Sequence, residues 1–265
     1  MSNVSVEVIE SVQQLCDAWS IFIKDRNGDV RDEPGMAIRW ADSQFGFWSC
    51  IALIEQDVSR QLLETRLQQA VELMRSKKQP GLIWLFEDLL DPAARDALPE
   101  TIEQAGLTLA LAGFGMAGDI LPIPEPHHPE LRFVRVTTEE QLLAYADINA
   151  RAYGMPLEAA RDGLQGSALW KQGIHAYLAL ENDVPVSCAA SVAVDGRLFV
   201  ALVATNPDAQ RKGYGEAVTR KALHEGAKAT GLTRAILHAT MAGAPVYERI
   251  GLHKTSSVHF YELKV

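Results

Sequence analysis

The chain has 265 residues, of which 48% are hydrophobic and 22% charged, and a net charge of −9. That balance fits a soluble globular protein of one large or two small domains, and the acidic total argues against nucleic acid as the main partner. No apolar stretch approaches the length of a membrane span. The first residues lack a basic, apolar leader. The three scattered cysteines, Cys16, Cys50 and Cys188, form no metal spacing and suit a reducing compartment, so a cytoplasmic location is expected.

In chain order, Gly46–Ile54 reads as a strand. Leu63, Leu67, Ala70, Val71 and Met74 then form a helical stripe. A short apolar strand follows at Gly81–Phe86, a helix from Pro92 to Gln104, and a strand from Leu107 to Ala112. Trp48, Trp84 and Trp170 are expected in cores. Asp119–Pro129 contains four prolines, so it is extended and reads as a linker over 121–130. Its His127 and His128 are expected to be exposed rather than metal ligands, and no other spacing indicates a metal.

Beyond the linker, Leu131–Val136 reads as a strand and Thr138–Ala152 as a helix, with Thr138 and Gln141 placed as a capping box. Gly154 and Pro156 break the pattern before a second helical piece, Glu158–Leu164. Strands follow at Ala176–Glu181 and Val186–Val194, and Asp195-Gly196 signals a hairpin. Leu198–Thr205 is almost wholly apolar, as for a strand covered on both faces. Asn206-Pro207-Asp208 ends it. Tyr214, Ala217, Val218, Ala222 and Ala229 then recur at helical spacing, so a helix opens near Gly213. Arg234–Thr240 and Ser257–Leu263 read as the last strands.

The junction between the apolar strand and this helix is suited to holding a pyrophosphate. The first turn of a helix has unpaired N–H groups and a partial positive charge, and anions bind there. Gly213 and Gly215 remove side chains that would keep a phosphate from the backbone. Arg211 and Lys212 add positive charge. No Gly-Lys-Ser/Thr follows, and Val218 stands where a dinucleotide fingerprint needs its third glycine. The charge balance is compatible: residues 1–130 hold 10 Lys+Arg against 21 Asp+Glu, and residues 131–265 hold 15 against 13.

Gln210-x-x-Gly213-x-Gly215, preceded by Val203-Ala204-Thr205-x-Pro207, resembles the acetyl-CoA loop of the GNAT N-acetyltransferase superfamily. Ala244-Pro245-Val246-Tyr247-Glu248-Arg249-Ile250-Gly251-Leu252 is similar to that family's late A-x-x-[LFV]-Y-x-x-x-G-[FL] segment. The resemblance covers about residues 130–265. It implies that the backbone of Val203, Ala204 and Thr205 holds the pantetheine arm of acetyl-CoA, and that Gln210, Arg211, Lys212, Gly213, Tyr214 and Gly215 form the pyrophosphate loop. It also implies that Tyr247 protonates the departing thiolate. Tyr247 packing against a sheet and Gln210 merely shaping the loop are the competing structural readings.

The implied fold is a mixed, mostly antiparallel sheet flanked by helices, in the α/β class. Ile102-Glu103-Gln104-Ala105-Gly106-Leu107 compares with the segment from Tyr247 to Leu252, both ending a helix with glycine before a strand. A tandem follows: a degenerate GNAT-like domain over 1–120, the linker 121–130, and an acetyl-CoA-binding domain over 131–265. The first unit's strand-to-helix turn has no glycine and carries Glu55 and Asp57, and Ile102 stands in place of Tyr247. One cofactor site is therefore expected, and the first unit is expected to scaffold or gate substrate. The implied reaction is direct acetyl transfer to an amine of a small molecule or peptide, without metal, nucleic acid or membrane. A non-catalytic acyl-CoA-binding module is the alternative. His238 is a candidate base, with a satisfied buried histidine as the competing reading. A monomer is favoured and a homodimer left open.

Overall fold

The computed structural model describes residues 4–264. In chain order the elements are α1 (Val6–Asp25), β1 (Asp29–Glu33), β2 (Met36–Trp40), β3 (Ser49–Leu53), α2 (Arg60–Arg75), β4 (Leu82–Phe86), α3 (Pro92–Asp96), α4 (Leu98–Gln104) and β5 (Leu107–Gly118). There follow β6 (Arg132–Arg135), α5 (Glu139–Tyr153), α6 (Leu157–Leu164), β7 (His175–Glu181), β8 (Val184–Val194), β9 (Arg197–Thr205), α7 (Tyr214–Thr230), β10 (Ala235–Thr240), α8 (Ala244–Ile250) and β11 (His253–Leu263). Among the described residues no helix is long and apolar enough to cross a membrane.

These elements fall into two compact units that interlace along the chain. The first takes the residues up to Met116, His238–Ala244 and the residues from Lys254 onward; the second takes Ala117–Leu237 and Pro245–His253. This departs from the expected blocks 1–120 and 131–265. The reason is β11, which lies antiparallel to β4 with Val258 opposite Phe86 and Tyr261 opposite Ile83. The proline-rich segment is extended, as expected, but it is tied into the second unit. Leu121 and Ile123 are buried. The Leu121 amide donates to the Thr233 carbonyl at 2.9 Å, and the Ile123 carbonyl lies 2.9 Å from His224 Nδ1.

The first unit has strand order β1-β2-β3-β4-β11-β5, with β3 and β4 parallel. The α2 stripe packs as its spacing predicts: Leu63, Leu67 and Val71 share a cluster with Ile51, Ile83 and Leu85. Three details differ from the sequence reading. Helix α1 and the β1–β2 hairpin were not foreseen; Ser5 caps α1 by accepting from the Val8 amide, and Gly35, at φ +76°, turns the hairpin. Gly46–Trp48 forms a 3-10 turn rather than the start of β3, because Trp48 folds inward against Phe22 and Phe45, each at 5.3 Å. The helix from Pro92 to Gln104 splits at Ala97, since Pro99 has no N–H to continue the ladder.

The second unit has strand order β10-β9-β8-β7-β6. β6 to β9 are antiparallel neighbours, and β10 runs parallel to β9. α5 opens with the predicted capping box of Thr138 and Gln141. It is tied to α6 by the paired bonds of Arg161 to Asp147, at 2.6 and 2.8 Å. Helices α5 and α7 cover opposite faces of the sheet. Cys188 faces α5 through Asn149, whereas its neighbour Ala189 packs on Val218 and Ala222 of α7. That double cover explains why β9 is apolar from Leu198 to Ala204.

Close packing of α7 on β8 and β9 depends on Gly226. A Cβ there would lie 2.6 Å from Ser191 Oγ and 2.9 Å from Leu198 Cδ1. In an exposed helix, Gly→Ala stabilises by about 1 kcal/mol. Here the clash outweighs that gain. Gly226→Ala is expected to destabilise the protein by about 1–3 kcal/mol, read as a lower urea midpoint; a higher midpoint would contradict the packing described.

Candidate active site

β9 is irregular where the cofactor arm was expected. Its register against β8 shifts between Ala190↔Ala201 and Cys188↔Ala204, so three residue steps on β9 oppose two on β8. The extra residue is accommodated by Leu202 at φ +47°. A left-handed conformation costs an L-residue roughly 1–2 kcal/mol, so the surroundings must hold it. They do so from α5. Tyr145 Oη donates to the Leu202 carbonyl at 2.9 Å, Asn149 Nδ2 reaches the same oxygen at 3.5 Å, and Tyr153 Oη donates to the Val203 carbonyl at 3.2 Å. The ladder with β10 pairs only Leu198–Val200 with Ala235–Leu237, so Val203, Ala204 and Thr205 lie beyond it.

After Thr205 the chain makes a 3-10 turn over Pro207–Ala209, then enters α7 through two left-handed residues, Arg211 at φ +65° and Gly213 at φ +83°. Gly213 is the N-cap, and no side chain caps this helix end. The Ala217 amide donates to the Gly213 carbonyl at 3.0 Å and begins the helical ladder, so the amides of Tyr214, Gly215 and Glu216 face outward from the first turn. Gly215 sits close to the strand end: a Cβ on it would be 3.1 Å from Thr205 Oγ1. Thr205 Oγ1 is in turn 2.7 Å from Ser187 Oγ, which donates to the Ala204 carbonyl at 2.8 Å. The predicted residues Val203–Thr205 and Gly213–Gly215 are thus brought together.

The predicted side chains divide by role. Gln210 shapes the loop, with Nε2 3.4 Å from the Thr205 carbonyl. Lys212 Nζ is 3.1 Å from Glu181 Oε1 and lies over the Tyr214 ring at 5.4 Å. The hydroxyl of the buried Tyr214 lies between two carboxylates, Glu181 and, at 2.9 Å, Glu130, which share its one proton. Those bonds, led by the one to Glu181, push the phenol above its ordinary pKa. Tyr214 therefore offers a ligand its backbone amide only. Arg211 is exposed and has no partner among the described residues, which leaves it as the loop's uncommitted cation.

Tyr247 stands on α8. Burial pushes its phenol well above the usual tyrosine range, with the Tyr153 phenol adding to the effect, so it stays protonated at working pH. Helix α8 is tied to the first turn of α7 through Glu216, which accepts from Arg249 at 2.8 Å and from Arg220 at 2.9 Å. His238 is half-buried in the first unit, with Nε2 3.0 Å from Ser11 Oγ. Burial pushes its pKa down to about 3, so it is the neutral core histidine of the competing reading and a weak base. Glu125, His224 and Glu225 bring ligand atoms within 4.8 Å of one another. There the Lys221 ammonium already bonds both carboxylates, the one to Glu225 at 2.7 Å.

The equivalent junction in the first unit is closed by its own chain. Beyond β3 and β4, Val58 bridges Leu90 in parallel: its amide donates to the Leu89 carbonyl, and its carbonyl accepts from Asp91, both at 3.0 Å. Ser59 caps α2 by accepting from the Leu62 amide. Glu55 holds Arg66 through two bonds of 2.7 and 2.9 Å.

The α5 residues Tyr145, Asn149 and Tyr153 were missed from sequence. Their spacing of four along one helix face was the available signal.

Residues 142–252 match the acetyltransferase (GNAT) family. No curated protein matches the chain. Among solved structures, a GCN5-related N-acetyltransferase from Kribbella flavida is similar over 96% of both chains at 19% identity, with a TM-score of 0.69. One from Sphaerobacter thermophilus is similar over 87% of this chain and 78% of its own at 13% identity, TM-score 0.59. A GCN5-related N-acetyltransferase-like protein from Streptococcus suis is similar over 97% and 98% at 16% identity, TM-score 0.54. The likeness in fold runs over both units.

Glu181 carries a prediction for loop stability. Bonds from Tyr214 and Lys212 hold its carboxyl below the ordinary value. A depressed folded pKa stabilises above the unfolded value and loses that effect as pH falls through the folded one. Glu181→Gln should therefore lower the melting temperature at pH 7, with the gap to wild type closing below about pH 4. A gap of constant size down to about pH 3 would contradict this network.

Proposed function

We propose that this chain, which carries an acetyltransferase domain of the GNAT family over residues 142–252, moves an acetyl group from acetyl-CoA to an amine. The family and the fold support acyl transfer in general. The observation that carries the finer reading is the uncapped first turn of α7, opened by Gly213 and set directly behind the bulged end of β9. Its amides and Arg211 suit a diphosphate. The segment Val203–Thr205, beyond the β10 ladder, suits an extended arm with amides of its own.

In this reading the amine nitrogen attacks the thioester carbon, the C–S bond breaks, and Tyr247 gives its proton to the sulfur as charge develops there. The proton shed by the amine passes to water and returns the tyrosine to its neutral form. Burial keeps the phenol protonated until the C–S bond breaks, so its proton is present when charge develops on the sulfur. The acceptor is a small-molecule or peptide amine, and the protein acts as a monomer in the cytoplasm. The first unit is a degenerate GNAT-like partner that scaffolds the second. Its closed junction supports this: Val58 and Ser59 already use groups that a cofactor would need.

Thermal denaturation with CoA, acetyl-CoA, ATP and NAD tests the cofactor. A ligand at a hundredfold excess over its Kd stabilises by about 2.7 kcal/mol. Both CoA species are expected to raise the melting temperature and the other two to leave it unchanged; no rise with either CoA species would end this reading. An amine panel with free-thiol detection then finds the acceptor. On that acceptor, Tyr247→Phe is expected to keep acetyl-CoA binding and lose about a hundredfold in kcat. Unchanged kcat would remove Tyr247 from the chemistry, and no turnover with any amine would favour a binding-only module.

A further inference from the structure

The three polar residues of α5 lie four apart, on one face, and meet three successive carbonyls of β9. Tyr145 Oη is 3.3 Å from the Ala201 oxygen and 2.9 Å from that of Leu202; Asn149 Nδ2 also takes Leu202, and Tyr153 takes Val203 at 3.2 Å. In a regular strand successive carbonyls alternate between the two edges and find partners in neighbouring strands. Here they are also met by donors from a helix. The orientation of Asn149 follows from its partners. Its Nδ2 faces the carbonyls of both Tyr145, at 3.1 Å, and Leu202, and only an amide nitrogen can donate to two carbonyls. Tyr145 and Asn149 are fully buried.

A bulge held only for packing would be satisfied by one such bond and covered by apolar side chains. Three fixed donors instead determine the direction of each peptide plane from Ala201 to Ala204. With those carbonyls pointing at α5, the bulge cannot slide back into register with β8. The amides of Leu202 to Ala204 are then fixed relative to the first turn of α7. That distance matters for a ligand gripped at one end by its diphosphate and reacting at the other.

We propose that Asn149 and Tyr153 are positioning residues: by clamping the Leu202 and Val203 carbonyls they set the β9 bulge so that the Val203 and Ala204 amides meet the pantetheine arm of the bound cofactor. This rests on the acetyl-CoA reading above. The clamp acts on the arm alone, because the diphosphate end is held by the loop at 211–215.

The test compares acetyl-CoA with 3′-phospho-ADP, which has the diphosphate but no pantetheine arm, by titration calorimetry on the intact protein and on Tyr153→Phe and Asn149→Ala. Tyr153→Phe keeps its ring and loses one hydroxyl; Asn149→Ala leaves Leu202 the bond from Tyr145. Each variant is expected to bind acetyl-CoA about fivefold more weakly, the equivalent of one neutral hydrogen bond, while binding of 3′-phospho-ADP stays unchanged. Equal losses for both ligands, or no loss for either, would overturn the positioning role while leaving the cofactor reading intact. Should the unmodified protein bind neither ligand, both readings fall together. If Asn149→Ala does not fold, Tyr153→Phe alone decides.

Discussion

The second unit is organised around one departure from regularity, the left-handed residue in the middle of an apolar strand. Without it β9 would run flat beside β8 and β10 to its end. With it, the strand's last residues leave the ladder, their carbonyls turn to α5, and the chain enters α7 with its first amides open. Leu202 has no intrinsic preference for that conformation. It is held there by its neighbours, above all by hydroxyl and amide donors in a layer that otherwise excludes water. Strain of this kind collects where a fold does work on a ligand. The loop that follows is similarly held from behind, by carboxylates that fix Lys212 and Tyr214 and leave Arg211 unengaged.

The two units pose the same problem and solve it differently. Each has a parallel strand pair whose first strand runs on into a helix, and each leaves backbone groups to be satisfied where the pair ends. The first unit answers from within, through a bridge at Val58, a serine cap and an ion pair. The second replaces the cap with glycine and leaves the position open. An open helix end among uncommitted groups suits an external anion, and a sealed one does not. This contrast separates the two junctions more sharply than charge does, since both have cations nearby.

Much of this was legible in the sequence because the second unit follows local rules. Glycines with positive φ, a proline stop, a capping box and alternating strands specify its elements one at a time. The strand-to-helix junction was visible for the same reason. What escaped was set by tertiary partners. The bulge at Leu202 has no glycine to announce it, and its donors lie some fifty residues earlier, on α5. The pairing of Lys212 with Glu181, on another strand, has no local signal either. In the first unit the aromatic cluster around Trp48 overrode a strand pattern. Pro99 interrupted a helix that hydrophobic spacing alone would continue. His238 was ambiguous in the sequence because burial, not residue type, decides its protonation.

The return of β11 to the first unit bears on how the molecule comes into being. β4 receives its antiparallel neighbour from residues 258–261, far downstream of it in the chain. During synthesis β4 therefore waits with one edge bare while the residues of the second unit are translated. The first unit is thus completed only after the second has been made, and the chain cannot be divided at its prolines into two self-sufficient pieces.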